Sequence, residues 1–136
     1  MIQLNPYLNF GDNCEEAFNF YKSVFGGEFL YLGRYSEMEC DSPPDESEAN
    51  KIMHVSLPIG NGILMGSDTP AEFGPPTIGN SMSVSVNVDT VEEANRLFNG
   101  LSEGGNILMP IDKTFFAAAF GMFVDKFGVR WMVNCQ

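Results

Sequence analysis

Two stretches of this chain carry one pattern: EEAFNFYKSVFGGE from Glu15 returns as EEANRLFNGLSEGGN from Glu92. Each copy follows an alternating, strand-like run, ends in a glycine pair (Gly26-Gly27 and Gly104-Gly105) and leads into further strands. A unit of about half the chain is too long for a solenoid, whose repeats span roughly 20–50 residues. The pattern predicts a duplicated module whose two copies build a site together.

The strand and helix signals are strong enough to place the elements. Leu4, Leu8 and Phe10 alternate with Asn5, Tyr7 and Asn9, which predicts a first strand, and Glu15 to Phe25 follows as a helix capped by Asp12 or Asn13 and stopped at Gly26. Ala17, Phe20, Tyr21 and Val24 form its expected buried stripe. Glu28 to Tyr35 reads as strand, and MHVSLPIGNGILMGSD as a hairpin turning at Gly60-Asn61-Gly62. Ser81 to Val88 alternates cleanly before a helix near Val91 to Ser102, capped by Asp89 or Thr90. Asn106 to Ile111, Ala117 to Val124 and Val129 to Asn134 complete a second βαβββ set. The expected modules, about 1–68 and 80–136 of a single domain, are joined by the Pro- and Gly-rich segment Asp68 to Asn80.

Composition excludes several functions. A formal charge of −11, with seven Lys and Arg and no basic stripe, repels phosphate backbones and argues against nucleic acid. No apolar run approaches the roughly 20 residues of a membrane span, and no signal peptide is evident, so a cytoplasmic location is expected. Cys14, Cys40 and Cys135 are odd in number and widely spaced, which fits buried thiols rather than a disulfide framework. Acidic residues concentrate between Ser36 and Asn50, around Pro43-Pro44, and predict a mobile loop able to fold over a site mouth.

Because successive strand residues point to opposite sides, the sequence also sorts into faces. Leu4, Leu8, Phe10, Val55, Leu57, Ile59, Leu64, Met82, Val84, Val86, Val88, Trp131 and Val133 share the parity of a core beneath the helices. The other parity holds Asn5, Tyr7, Asn9, His54, Ser56, Met65, Ser67, Ser83, Ser85, Asn87, Arg130, Met132 and Asn134, polar yet nearly uncharged. That face reads as the lining of a small-molecule cup, or as the wet side of an antiparallel sheet.

The repeat, the hairpin KIMHVSLPIGNGILMGSD and the ending FGMFVDKFGVRWMVN together make the chain resemble the vicinal oxygen chelate superfamily of glyoxalase and bleomycin-resistance proteins. Within it the chain looks most like the PhnB-like, or demethylubiquinone methyltransferase-like, branch. The resemblance implies an α+β fold of paired βαβββ modules forming a curled mixed sheet with a cup-like cavity, commonly in a homodimer. It also implies that Asn5, Met65, Ser83 and Met132 occupy the positions of the superfamily's metal ligands. None of the four is a usual ligand for a catalytic divalent ion, so no metal and no cofactor are expected. Branch members often carry Trp where this chain has Phe116.

His54, the only histidine, is the candidate general base or ligand contact, with a histidine satisfied by one hydrogen bond as the plainer reading. Arg130 pairs with a ligand carboxylate or caps a strand end in solvent. Arg34 is a weaker candidate. Phe115, Phe116 and Phe120 form an aromatic wall or pack in the core. The expected ligand contacts are Asn5, Tyr7, His54, Met65, Ser83, Ser85, Phe116, Arg130 and Met132. The expected function is small-ligand binding without metal, with a lyase, isomerase or dioxygenase acting through His54, or through an unconventional metal site, as the alternative.

Overall fold

The computed structural model describes residues 2–37 and 46–136. The middle of the acidic segment, including Cys40, lies outside the described residues, and with it most of the expected lid. The chain divides into two compact units, Met1–Thr77 and Ile78–Gln136.

The first unit runs β1 (Tyr7–Phe10), α1 (Cys14–Phe25), β2 (Tyr31–Arg34), the short helix α2 (Glu46–Ala49), β3 (Ile52–Ile59) and β4 (Gly62–Asp68). The second runs β5 (Val84–Val88), α3 (Val91–Ser102), β6 (Asn106–Asp112), β7 (Ala119–Val124) and β8 (Arg130–Cys135). Each unit is therefore a βαβββ module, and each forms one four-stranded mixed sheet, ordered β1-β4-β3-β2 and β5-β8-β7-β6. The first strand of each module pairs in parallel with the last, β1 with β4 and β5 with β8, while the other neighbours are antiparallel. The chain is thus α+β, built of paired modules.

In both units the helix settles on a glycine. Gly66 of β4 lies under Phe18 of α1, where an added Cβ would meet the ring at 2.7 Å and the Leu8 carbonyl at 2.9 Å. Gly121 of β7 lies under Phe98 of α3, where a Cβ would come within 2.5 Å of the ring. Phe18 also meets Phe10 and Tyr21 edge-on, as Phe98 meets Phe123. These contacts seal one face of each sheet, burying Val55, Leu57 and Leu64 in one unit and Phe123, Trp131 and Val133 in the other.

One expectation about α1 is corrected by this seat. Its buried stripe is Cys14, Ala17, Phe18 and Tyr21, because the side chain that must reach Gly66 is Phe18; Phe20 and Val24 are only half-buried. Asn13 is the N-cap residue, one of the two expected, but its side chain makes no capping hydrogen bond. The acceptor comes from the end of β4: Asp68, 2% exposed, accepts from Cys14 N at 2.9 Å with Oδ1 and from Ile52 N at 2.8 Å with Oδ2. In α3, Thr90 is the cap, accepting from Glu93 N at 3.1 Å.

The outermost strand residues also differ from the alternation. β1 begins at Tyr7 and β5 at Val84, leaving Leu4 94% and Met82 82% exposed rather than in the core. Alternating polarity persists beyond the last residue that has a pairing partner, so pattern alone extends both strands too far. Val84, Val86 and Val88 are half-buried because β5 is an edge. No helix among the described residues is long and apolar enough to cross a membrane.

Asp68 ties α1, β3 and β4 by accepting from two backbone donors with its two carboxylate oxygens. Asp68→Ala orphans both, each at a cost of about 1–3 kcal/mol. The expected loss is about 3 kcal/mol in a urea titration, with the slope unchanged.

Candidate functional site

Register assigns the side chains that face away from α1. One row crosses the first sheet as Tyr31, Ser56, Met65 and Tyr7, each the Cα partner of the next. The row beside it holds Gly33 and His54, partners across β2 and β3, with Ser67 and Asn9, partners across β4 and β1. The two-residue turn at Gly60-Asn61 sets this register by pairing Ile59 with Gly62, and Gly60 takes the left-handed φ of 57° that the turn needs.

Over this face two tyrosines converge on the histidine. The Tyr7 hydroxyl lies 3.3 Å from His54 Nδ1, with ring centroids 5.6 Å apart. From the opposite edge the Tyr31 ring lies 5.9 Å from the imidazole. Tyr31 reaches it by folding back over Gly33, where any Cβ would meet its ring carbons at 2.8 Å. The small residues between the strands complete the arrangement: Ser56 is 5% exposed, whereas Tyr7 and Tyr31 remain 43% and 47% exposed. The result is an aromatic and imidazole surface with one hydroxyl at hydrogen-bonding distance from a ring nitrogen.

The second sheet repeats the row with different chemistry. Ser85, Met132, Met122 and Met109 are successive partners across β5, β8, β7 and β6, at the places of Tyr7, Met65, Ser56 and Tyr31. On one side lies the row of Asn87, Asn134 and Phe120, in which Asn134 Nδ2 donates to Asn87 Oδ1 at 3.0 Å. Phe116 stands edge-on to Phe120 at 5.1 Å and to the fully exposed Phe115 at 5.2 Å. On the other side Arg130 opposes Val124. The Nε of Arg130 is shut off from solvent and has no hydrogen-bond partner, as is Oδ1 of Asn5 in the first unit.

Tyr7, His54 and Met65 thus share one face of the first sheet, and Ser85, Met132 and Arg130 one face of the second. Asn5 and Ser83 precede their strands, and Ser83 is exposed. Phe116 belongs to the loop before β7. Arg34 faces the other way: a register shift after Gly33 sets it opposite Ile52, and it holds both Glu15 carboxylate oxygens, at 3.1 and 2.7 Å. That hydrogen-bonded guanidinium keeps the Glu15 carboxyl below its ordinary range. Tyr31, Met109 and Met122 were not foreseen, although the parity of their strands with His54 and Met132 carries the signal.

Neither cysteine among the described residues takes part. Cys14 and Cys135 are free and buried, and burial, reinforced by Asp68 and Glu15, pushes the Cys14 thiol far above its ordinary value. Burial therefore disfavours a thiolate there. The metal positions implied by the superfamily fare similarly: an amide, a hydroxyl and two thioethers are poor donors for a hard or borderline divalent cation. Among the described residues no group of three or more His, Cys, Asp or Glu side chains converges to hold one.

Paired βαβββ modules, each with a helix on one face of its sheet and a nearly uncharged face on the other, define the class: an α+β protein of the glyoxalase fold. The model of the 3-demethylubiquinone-9 3-methyltransferase family matches residues 3–134, and the chain belongs to that family, with PhnB-like proteins. It is similar to protein PA1353 from Pseudomonas aeruginosa, at 45% identity and a TM-score of 0.87 over 100% of this chain and 98% of that one. A PhnB protein from Bacillus cereus, described as a putative 3-demethylubiquinone-9 3-methyltransferase, is 29% identical with a TM-score of 0.78, covering 99% and 100%. Protein YjdN of Escherichia coli is 34% identical over 98% of this chain and 95% of its own length. The fosfomycin resistance protein FosX from Listeria monocytogenes shares the fold alone, at 12% identity and a TM-score of 0.67 over 100% and 94%.

Gly33 carries the position of Tyr31, which gives a direct check of the aromatic cluster. Gly33→Ala is expected to drive the Tyr31 ring off the imidazole. Because His54 is the sole histidine, its ring-proton resonances report this without ambiguity. A clear shift relative to the parent is expected, matched by the shift in Tyr31→Leu; unchanged resonances in both variants would contradict the arrangement.

Proposed function

We propose that this chain binds a small, partly apolar organic molecule on the sheet faces away from its helices, without the superfamily's usual metal. The Tyr7–His54–Tyr31 cluster carries the reading. Two half-exposed phenol rings flanking an imidazole offer stacking area and hydrogen bonds at once, where a merely wet sheet face would carry charged side chains. FosX, described in complex with Mn(II) and dihydroxypropylphosphonic acid, supports the capacity of the fold to hold small molecules. The donor sets of Asn5, Met65, Ser83 and Met132 support binding without such an ion here. Methyl transfer, which the family's description names, finds no support in the residues: neither sheet has the all-parallel, doubly wound strand order and Gly-rich loop of a typical methyl-donor site.

A second reading, an enzyme of lyase, isomerase or dioxygenase type, draws on one observation. The Tyr7 hydroxyl at 3.3 Å from His54 Nδ1 is a proton-relay geometry, usable for general acid and base work. We further propose a homodimer, which would cover apolar surface such as Ile107 and Leu108 along the edge strand β6.

A library of small aromatic and heteroaromatic molecules, screened by ligand-observed NMR against metal-free protein, tests the first reading. Binders are expected whose affinity falls about tenfold in His54→Ala and Tyr31→Ala, a loss equivalent to about 1.4 kcal/mol. Binding that appears only after addition of a divalent metal would refute it, and turnover abolished by His54→Ala would favour the enzyme. Sedimentation in chelator is expected to give twice the chain mass; a monomer at micromolar concentration would refute the dimer.

A further inference from the structure

Most cations of this chain have a stated occupation. Lys22, Arg34, Lys51 and Arg96 form ion pairs with Glu28, Glu15, Glu48 and Glu93. Lys126 lies over the Phe127 ring. Arg130 differs. It is half-buried, has no carboxylate partner among the described residues, and its Nε is closed to solvent without an acceptor. A guanidinium has no acceptor capacity and remains charged at any physiological pH, so a shielded Nε–H requires an incoming acceptor or stands as a cost of about 1–3 kcal/mol. In a chain of net charge −11 such a cation stands out from a surface field that repels anions.

Its place on the sheet indicates what it would hold. Arg130 shares a face with Met132, Met122 and Met109, two residues along β8, and then with Asn134 and Phe120, four residues along. At about 3.4 Å per residue the apolar thioether row begins roughly 7 Å from Arg130, and the Phe120 row roughly 14 Å away. Thioethers adapt to apolar and aromatic bodies, and Phe120 with Phe116 supplies an edge-on aromatic end.

Resting on the binding function proposed above, we infer that Arg130 is the specificity-determining contact for a carboxylate, and that the ligands are small monocarboxylic acids with an apolar or aromatic body lying across the methionine row. The planar fork of Arg130, Nε included, matches both oxygens of a carboxylate, which neither lysine nor a neutral donor does. The aromatic cluster around His54 has no part in this assignment, so the two can fail separately.

Hydrocinnamate, hydrocinnamamide and propionate are the probes, titrated calorimetrically into full-length protein and into Arg130→Met and Arg130→Lys. Hydrocinnamate is expected to bind parent protein at least tenfold more tightly than either other probe. Arg130→Met should weaken it by about 10- to 100-fold, the range of a charge-assisted hydrogen bond, and should weaken the amide severalfold less, since the amide loses only a hydrogen bond to a neutral acceptor. Arg130→Lys should fall between, since it keeps the charge and loses Nε, and it serves if the methionine variant does not fold. Acid and amide binding equally, or acid binding indifferent to both substitutions, would overturn the carboxylate assignment and leave ligand binding standing. Failure of all three probes to bind the parent would overturn the assignment too, while the broader library decides the binding function on its own.

Discussion

Each sheet owes its two-sidedness to a phenylalanine resting on a glycine, Phe18 on Gly66 and Phe98 on Gly121. A glycine inside a strand costs roughly 0.5–1 kcal/mol in backbone entropy, whereas burying a phenylalanine returns about 2–3 kcal/mol, so the exchange favours a closely seated helix. Once the helix is seated, strand parity leaves no choice for the rest. Val55, Leu57 and Leu64, or Phe123, Trp131 and Val133, must lie beneath it, and every second residue is turned to the other side. The chemistry of the molecule lives on that remainder.

Buried carboxylates then fix the ends of the sheets. Asp68 bridges the start of α1 to the start of β3, and Asp125, 3% exposed, closes the β7–β8 turn by accepting from Phe127 N, Val129 N and Trp131 Nε1. The second case sets the first residue of β8, and therefore which side Arg130 and Met132 take. An acidic composition thus conceals two roles: most carboxylates lie outside and set the charge, while these two serve as acceptors for backbone donors that would otherwise be orphaned.

Much of this architecture was legible in the sequence because it is local or periodic. The repeat gave the module, Gly60-Asn61 gave the register, and alternation put His54 beside Met65 and Arg130 beside Met132. What escaped was long-range. No local pattern reveals that the cap of α1 comes from Asp68, 54 residues away, or that Phe18 rather than Phe20 is the buried ring, because both follow from the seat of the helix on β4. Leu4 and Met82 misled for the opposite reason: alternation continues in the residues preceding β1 and β5, but pairing does not. At the site, the polarity of the face was foreseen, yet Tyr31 was not, since its approach to His54 depends on a missing side chain at Gly33 rather than on anything Tyr31 itself displays.

The duplication also explains how one fold can carry two chemistries. The equivalent rows Tyr7–Met65–Ser56–Tyr31 and Ser85–Met132–Met122–Met109 keep a methionine at the same place on the last strand of each module, and differ at every other position. In the first row small serine and large tyrosine let rings fold inward onto an imidazole; in the second, thioethers fill the corresponding places and leave the face soft and apolar. Both rows project from strands whose opposite side is committed to the core, so substitutions there alter the face without disturbing the helix seat. Divergence of the two copies at these positions is therefore the least costly way for the fold to change the chemistry of these faces.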